Sequence, residues 1–188
     1  MNRFFNRRNV IIILLVIFIF FRIYVDYSTD LLAHDKLKFI EAGNNFPNHT
    51  LYNNQLYLLH PPVYPYAIYL SNFIFEQDHI ASIFISLISS IVSFFIIYHF
   101  FMLITKNFKL TFFILVLYTL SDSLIIASRI ALRESFLIML ILLSLYFYVK
   151  GVKNSDNKSL ILATIFGSIL SLTSDHVVLL IPALGISY

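Results

Sequence analysis

The chain reads as blocks of unbroken apolar sequence separated by short polar intervals. Residues 10–25 are apolar except for Arg22, and further apolar runs cover 80–105, 110–126, 131–149 and 160–172, with another beginning at 177. A helix needs about 20 apolar residues to cross the hydrocarbon core of a bilayer. Inside that core every backbone N–H and C=O must be satisfied within the protein, which favours helices. The pattern predicts an all-α, polytopic transmembrane helix bundle. The last run, 177–188, holds only 12 residues and is too short to cross, so the chain is expected to be the N-terminal part of a longer protein, forming a single transmembrane domain over 1–188.

The interval 26–77 breaks the pattern, being long, polar and aromatic by turns. Within it, residues 30–41 place apolar side chains near helical spacing, which predicts an amphipathic helix lying along the membrane surface. Residues 66–75 form an apolar aromatic stretch expected to dip into the interface. Small residues recur every four positions at Ser82, Ser86 and Ser90, and again at Ala163, Gly167 and Ser171. Such faces let helix backbones approach closely in lipid. That packing role is preferred here over a polar pathway.

Composition agrees with a membrane protein: 59% of residues are hydrophobic and 12% charged, with 20 Phe and 12 Tyr. This balance excludes an ordinary soluble domain. The absence of Cys excludes disulfides, thiolate metal sites and thiol nucleophiles. The basic residues mark topology. Arg3, Arg7, Arg8, Lys106, Lys109, Lys150, Lys153 and Lys158 fall on one side of the alternating spans; Arg22, Lys36, Lys38, Arg129 and Arg133 fall on the other. The positive-inside bias then puts the N-terminus in the cytoplasm and the loop 26–77 outside. A multi-pass protein of a prokaryotic plasma membrane is expected. The net charge of +3 is no nucleic-acid signal, and no nucleic-acid partner is expected.

A chain this apolar places ionisable residues sparingly. Asp26, Asp30, Asp35 and Glu41 lie in the first outer loop. A carboxylate at the edge of a low-dielectric region gains proton affinity unless paired, and can then act as a general base on a hydroxyl or bind a divalent ion. The plainer alternative is that these acids solvate the surface helix, with Asp30 capping it. His60, Pro61, Pro62, Tyr64 and Pro65 form a stiff proline-rich step expected to be extended rather than helical. His60 could bind a phosphate or stabilise a leaving group, or be structural.

Arg129, Arg133 and Glu134 cluster at the start of the fourth run, within reach of one another on a continuous helix. Arginine forks suit phosphate, and the alternative is snorkelling to head groups with Glu134 as counter-ion. Asp175 and His176 make a third polar cluster on the same predicted face. The four glycines form no phosphate-cradling loop.

These residues together resemble the GT-C superfamily of membrane glycosyltransferases, and within it the dolichyl-phosphate-mannose protein mannosyltransferase and lipid A aminoarabinose transferase group. The likeness rests on one span, an outer loop with an early Asp, His60 followed by Pro61-Pro62-x-Tyr64-Pro65, and a ladder of spans. It implies transfer of a sugar from a polyprenyl-phosphate donor, on the extracytoplasmic face, to a protein, lipid or glycan acceptor. The transfer would be inverting and either metal-independent or assisted by a divalent cation; no metal ligand is assigned.

Position by position, the family's first-loop Asp matches Asp35, with Phe39 in the place of its usual Tyr and Asp30 as the alternative. This implies that Asp35 is the catalytic base or acceptor-positioning acid. Glu134, in the context of Arg129 and Arg133, matches the family's acid at the fourth span. Asp175 and His176 stand where the family has a small-residue turn ending in Arg. Two other classes remain open: a non-catalytic membrane scaffold, and a transporter or flippase fragment, which would carry ionisable residues in mid-span.

Overall fold

The computed structural model describes residues 6–24, 40–44, 51–52, 55–56, 62–75, 78–129 and 133–173. Within them the chain forms α1 (Arg7–Ile23), a two-residue antiparallel pair β1 (Leu51–Tyr52) and β2 (Gln55–Leu56), and then α2 (Val63–Asn72), α3 (Asp78–Thr105), α4 (Phe108–Leu120), α5 (Asp122–Arg129), α6 (Arg133–Asn154) and α7 (Asn157–Ser171). In the strand pair Leu51 opposes Leu56 and Tyr52 opposes Gln55. Residues 40–44 are helical as well. The architecture is a helical membrane bundle, as the apolar periodicity predicts.

Among the described residues two helices are long and apolar enough to cross a membrane, Ile80–Thr105 and Arg133–Asn154, and a bent pair makes up to a third. The third apolar run differs from the expected continuous span. It breaks at Ser121 into α4 and α5, which meet at 56°. Residues Ser128 and Arg129, which fall between the predicted runs 110–126 and 131–149, finish α5. At the break the almost wholly apolar α4 gives way to α5, which opens on the polar Asp122-Ser123 before its own apolar Leu124-Ile125-Ile126. With 17 residues α1 sits at the lower limit of a span, and the 15-residue α7 is shorter still. The beginning of the sixth run lies outside the described residues, as does most of the expected surface helix 30–41.

One end of the bundle is built from two similar turns. Lys106 and Ser155 both adopt positive φ, 52° in each case, ending the preceding helix. The next residues but one are capped: the Asn107 side chain accepts from the Lys109 and Leu110 amides, and the Asp156 side chain accepts from the Lys158 amide. These carboxamide and carboxylate caps satisfy donors that the first helical turn leaves without partners. Asp156 also accepts from Ser159 Oγ at 2.6 Å. Lys153 Nζ donates to the Leu103 carbonyl at 2.6 Å, closing the C-terminal end of α3. Arg7 lies over the Phe108 ring at 5.4 Å, so α1 begins at this same end. Among the described residues, Arg7, Lys106, Lys109, Lys153 and Lys158 thus lie at this one end of the bundle.

The core is aromatic and aliphatic where α1, α3 and α4 meet: Leu14, Phe18, Phe94, Ile97, Leu115 and Tyr118. Leu140 and Leu170 hold α6 to α7. Gly151 allows the α6–α7 turn to close, because a Cβ there would lie 2.7 Å from the Leu160 side chain. Ile12, Ile13, Val16, Phe113, Leu117 and Ile165 remain exposed on the outer faces. In lipid these side chains are in their preferred solvent.

Candidate active site

The polar side chains of the other end are organised around α3. Its serines at 82, 86, 89, 90 and 93 are all buried, which satisfies the close packing expected of that face. Two of them also take partners from other helices. Ser86 Oγ and Tyr64 Oη lie 3.4 Å apart, and Ser90 Oγ accepts from Arg22 Nε at 2.7 Å. The small-residue face is therefore both a packing surface and a polar seam.

Arg22 was legible in the sequence only as the one interruption of the first apolar run. The structure buries it to 2% exposure. Its guanidinium sits 3.5 Å from the Phe18 ring centroid and 5.2 Å from that of Tyr118. Its Nη2 donates at 3.4 Å to the Tyr118 carbonyl, and Nη1 is buried with no hydrogen-bond partner. Arg129 donates through Nη2 to the carbonyl of Phe21, the neighbour of Arg22, and its Nε is also buried and unpartnered. Among the described residues, neither guanidinium is hydrogen-bonded to a carboxylate.

A buried cation is costly unless paired and hydrogen-bonded. Cation–π contact recovers about 2 kcal/mol when desolvated. Among the described residues, each of the two guanidiniums keeps one buried N–H with no hydrogen-bond partner. This arrangement can accept an anion with several oxygens, for which an arginine fork is well shaped.

The proline step is the second correction to the sequence reading. It was expected to be extended, yet α2 starts at Val63, so Tyr64 and Pro65 lie in its first turn. Proline is tolerated there because the first N–H groups of a helix have no intrahelical partner. The Tyr66 amide reaches back to the Pro62 carbonyl at 2.9 Å. The step thus aims Tyr64 inward: it is buried, packs its ring 5.8 Å from that of Phe136 and shares the cluster of Ile68, Ile85 and Phe136. Burial pushes the Tyr64 phenol above its ordinary value; the Ser86 hydrogen bond opposes this and the nearby Glu134 charge adds to it. The group stays a neutral phenol and serves as a hydrogen-bonding wall.

The helical spacing expected for Arg129, Arg133 and Glu134 does not hold, since Arg129 ends α5 and Arg133 begins α6. Arg129 turns to α1, while Glu134 occupies the exposed first turn of α6, where an acid complements the helix dipole. The electrostatic influence of Glu134 on Tyr64 links it to α2. Asp30, Asp35, His60, Pro61, Asp175 and His176 lie outside the described residues. Among the described residues no group of three or more His, Asp or Glu could hold a metal ion.

The described helices thus form a membrane bundle with a buried polar seam that carries Arg22. The family model for dolichyl-phosphate-mannose-protein mannosyltransferases matches residues 59–188, and the chain belongs to that family, of membrane glycosyltransferases with a GT-C-like plan. The match takes in the proline step, Arg129, Glu134, Asp175 and His176, and begins after Asp30 and Asp35. Neither a curated protein nor a solved structure matches the chain.

Proposed function

We propose that this protein transfers a sugar from a polyprenyl-phosphate donor to a protein, lipid or glycan hydroxyl on the extracytoplasmic face. The observation that carries the reading is the Arg22–Arg129 pair, with an unpartnered N–H on each guanidinium and aromatic walls around the first. A lipid-linked phosphate meets both requirements of such a site, a multidentate anion joined to an apolar tail that can enter from the membrane. The clustering of Arg7 with the lysines of the two capped turns at the opposite end supports a cytoplasmic N-terminus by the positive-inside bias. The arginine pair then belongs to the extracytoplasmic half.

In this scheme Arg22 and Arg129 hold the donor phosphate and stabilise the negative charge that grows on it as the glycosidic bond breaks. Ser90 and the Phe18 ring orient Arg22, and Tyr64 meets Ser86 on the same serine face of α3. Asp35, with Asp30 as alternate, takes the acceptor proton as general base. His60, Arg133, Asp175 and His176 are further contacts to donor or acceptor, and the family resemblance is what supports all of these assignments. A divalent cation is an optional aid to the acids of the first loop.

The test uses the full chain in proteoliposomes with a radiolabelled polyprenyl-phosphate sugar. Arg22→Gln and Arg129→Gln each raise donor KM by about tenfold or more, the scale of one charged hydrogen bond. Asp35→Asn abolishes transfer while membrane insertion persists. Unchanged donor KM in both arginine variants would sink the reading.

A further inference from the structure

The helical residues 40–44 dock on α2 through Gly43, where a Cβ would meet Ile68 Cγ2 at 2.8 Å and the Pro65 carbonyl at 3.2 Å. Beside this contact lies a cleft of about 320 Å³ lined by Asn44, Tyr69, Asn72 and Phe73. Its size is at the lower end of the roughly 300–1,000 Å³ usual for small-molecule clefts. Asn72 Nδ2 donates to Asn44 Oδ1 at 2.9 Å, joining the two walls. Asn72 Oδ1 is buried and has no hydrogen-bond partner among the described residues. The ring of Tyr69 is held between those of Tyr66, at 6.4 Å, and Phe73, at 5.2 Å and 81°.

From this we infer a binding subsite for a neutral saccharide unit of the acceptor, an inference that rests on the glycosyltransferase reading above. Three observations select that chemistry. Among the described residues the lining holds no charged side chain that would favour a phosphate or ionised head group. The open Asn72 oxygen requires an O–H or N–H donor, and a buried acceptor left unmet costs about 1–3 kcal/mol. The Tyr69 and Phe73 rings offer apolar faces to the C–H side of a pyranose, whose other edge presents hydroxyls to the amides.

The subsite is also displaced along α2 from Tyr64, whose hydroxyl meets the serine face of α3. Asn72 lies eight residues beyond Tyr64 on α2, about 12 Å along the axis at 1.5 Å per residue. A sugar seated there is a distal unit of a glycan acceptor rather than the ring being transferred.

The purified full chain in detergent is titrated with neutral trisaccharides of glucose, mannose and N-acetylglucosamine, and binding is followed by saturation-transfer NMR. At least one trisaccharide binds. Its affinity falls about tenfold in Tyr69→Ala and in Asn72→Ala, both with parental thermal midpoints, and phosphocholine does not displace it. The inference is overturned if no trisaccharide binds, if both variants bind like the parent, or if phosphocholine competes. A chain that binds trisaccharide yet never uses a polyprenyl-phosphate donor defeats the donor reading and leaves this subsite standing. Transfer with unaltered acceptor KM in both variants does the reverse.

Discussion

Two faces of this protein look alike in sequence and behave differently in space. Ser82, Ser86 and Ser90 on α3, and Ala163, Gly167 and Ser171 on α7, share the same four-residue spacing of small side chains. On α7 the spacing serves contact: Ser144 of α6 donates to the Ala163 carbonyl at 3.1 Å, and its Oγ would lie 3.4 Å from a Cβ at Gly167. Ser171 returns its hydroxyl to the Gly167 carbonyl of its own helix. On α3 the same spacing faces Tyr64 and Arg22, and the hydroxyls are drawn into bonds between helices. The difference lies in what the opposing helix carries. A small residue permits close approach, and a hydroxyl spends its bond on the nearest polar partner that approach brings in.

The comparison breaks if the serines of the two faces prove equivalent. Ser90→Ala removes the short bond to a buried guanidinium that already has one orphan donor, and should cost about 1.5–3 kcal/mol. Ser171→Ala, which loses only a bond back to its own helix, should stay within about 0.5 kcal/mol. Thermal midpoints of the two variants in the same detergent decide this, and similar losses would collapse the distinction.

Steric tolerance sharpens the α7 side. Gly167→Leu overpacks the contact with α6 and costs about 1–3 kcal/mol. Gly167→Ala meets Ser144 at ordinary contact distance and should be within about 0.5 kcal/mol of the parent. A large loss in the alanine variant, read by the same thermal melts, would mean that α6 and α7 pack more tightly than described.

The smallest effect concerns the cap that starts α7. The Ser159 hydrogen bond, with help from the Lys158 amide, holds the Asp156 carboxyl below its usual value. A lowered folded value means that the unfolded chain binds the proton more readily. The contribution of Asp156 is therefore complete above the ordinary carboxylate pKa and fades as pH falls through the lowered one. Asp156→Asn should lower the neutral-pH melt slightly and flatten this part of the acid-side dependence of the melting temperature, the two proteins converging at low pH. An equally steep acid limb in the variant would remove Asp156 from that role.

The reach of sequence reasoning follows the range of the forces involved. Helices over residues 80–105 and 131–149 were legible because the cost of unsatisfied backbone in lipid acts within each segment. The lysine-rich ends were legible for a similar reason, since charge beside an apolar run acts locally. The break at Ser121 was hidden because the hydropathy of α4 runs on into Leu124-Ile125-Ile126, and only the 56° bend separates them. The helical start at Val63 was obscured by prolines that forbid a helix interior yet fit its first turn. Arg129 and Arg133 looked like neighbours on one helix until the chain broke between them.

What the residues alone determined is the class of molecule: a membrane bundle of apolar helices, its basic turns sorted by side, with the family written in the match over 59–188. The tertiary structure decided the chemistry of its interior. No spacing rule joins position 22 to position 90 or position 21 to position 129, because the Arg22–Ser90 bond and the Arg129 bond to the Phe21 carbonyl exist only when three helices pack together. Helices form from interactions a few residues apart, whereas a site for an anion needs charges brought together against their own repulsion by the burial of everything around them.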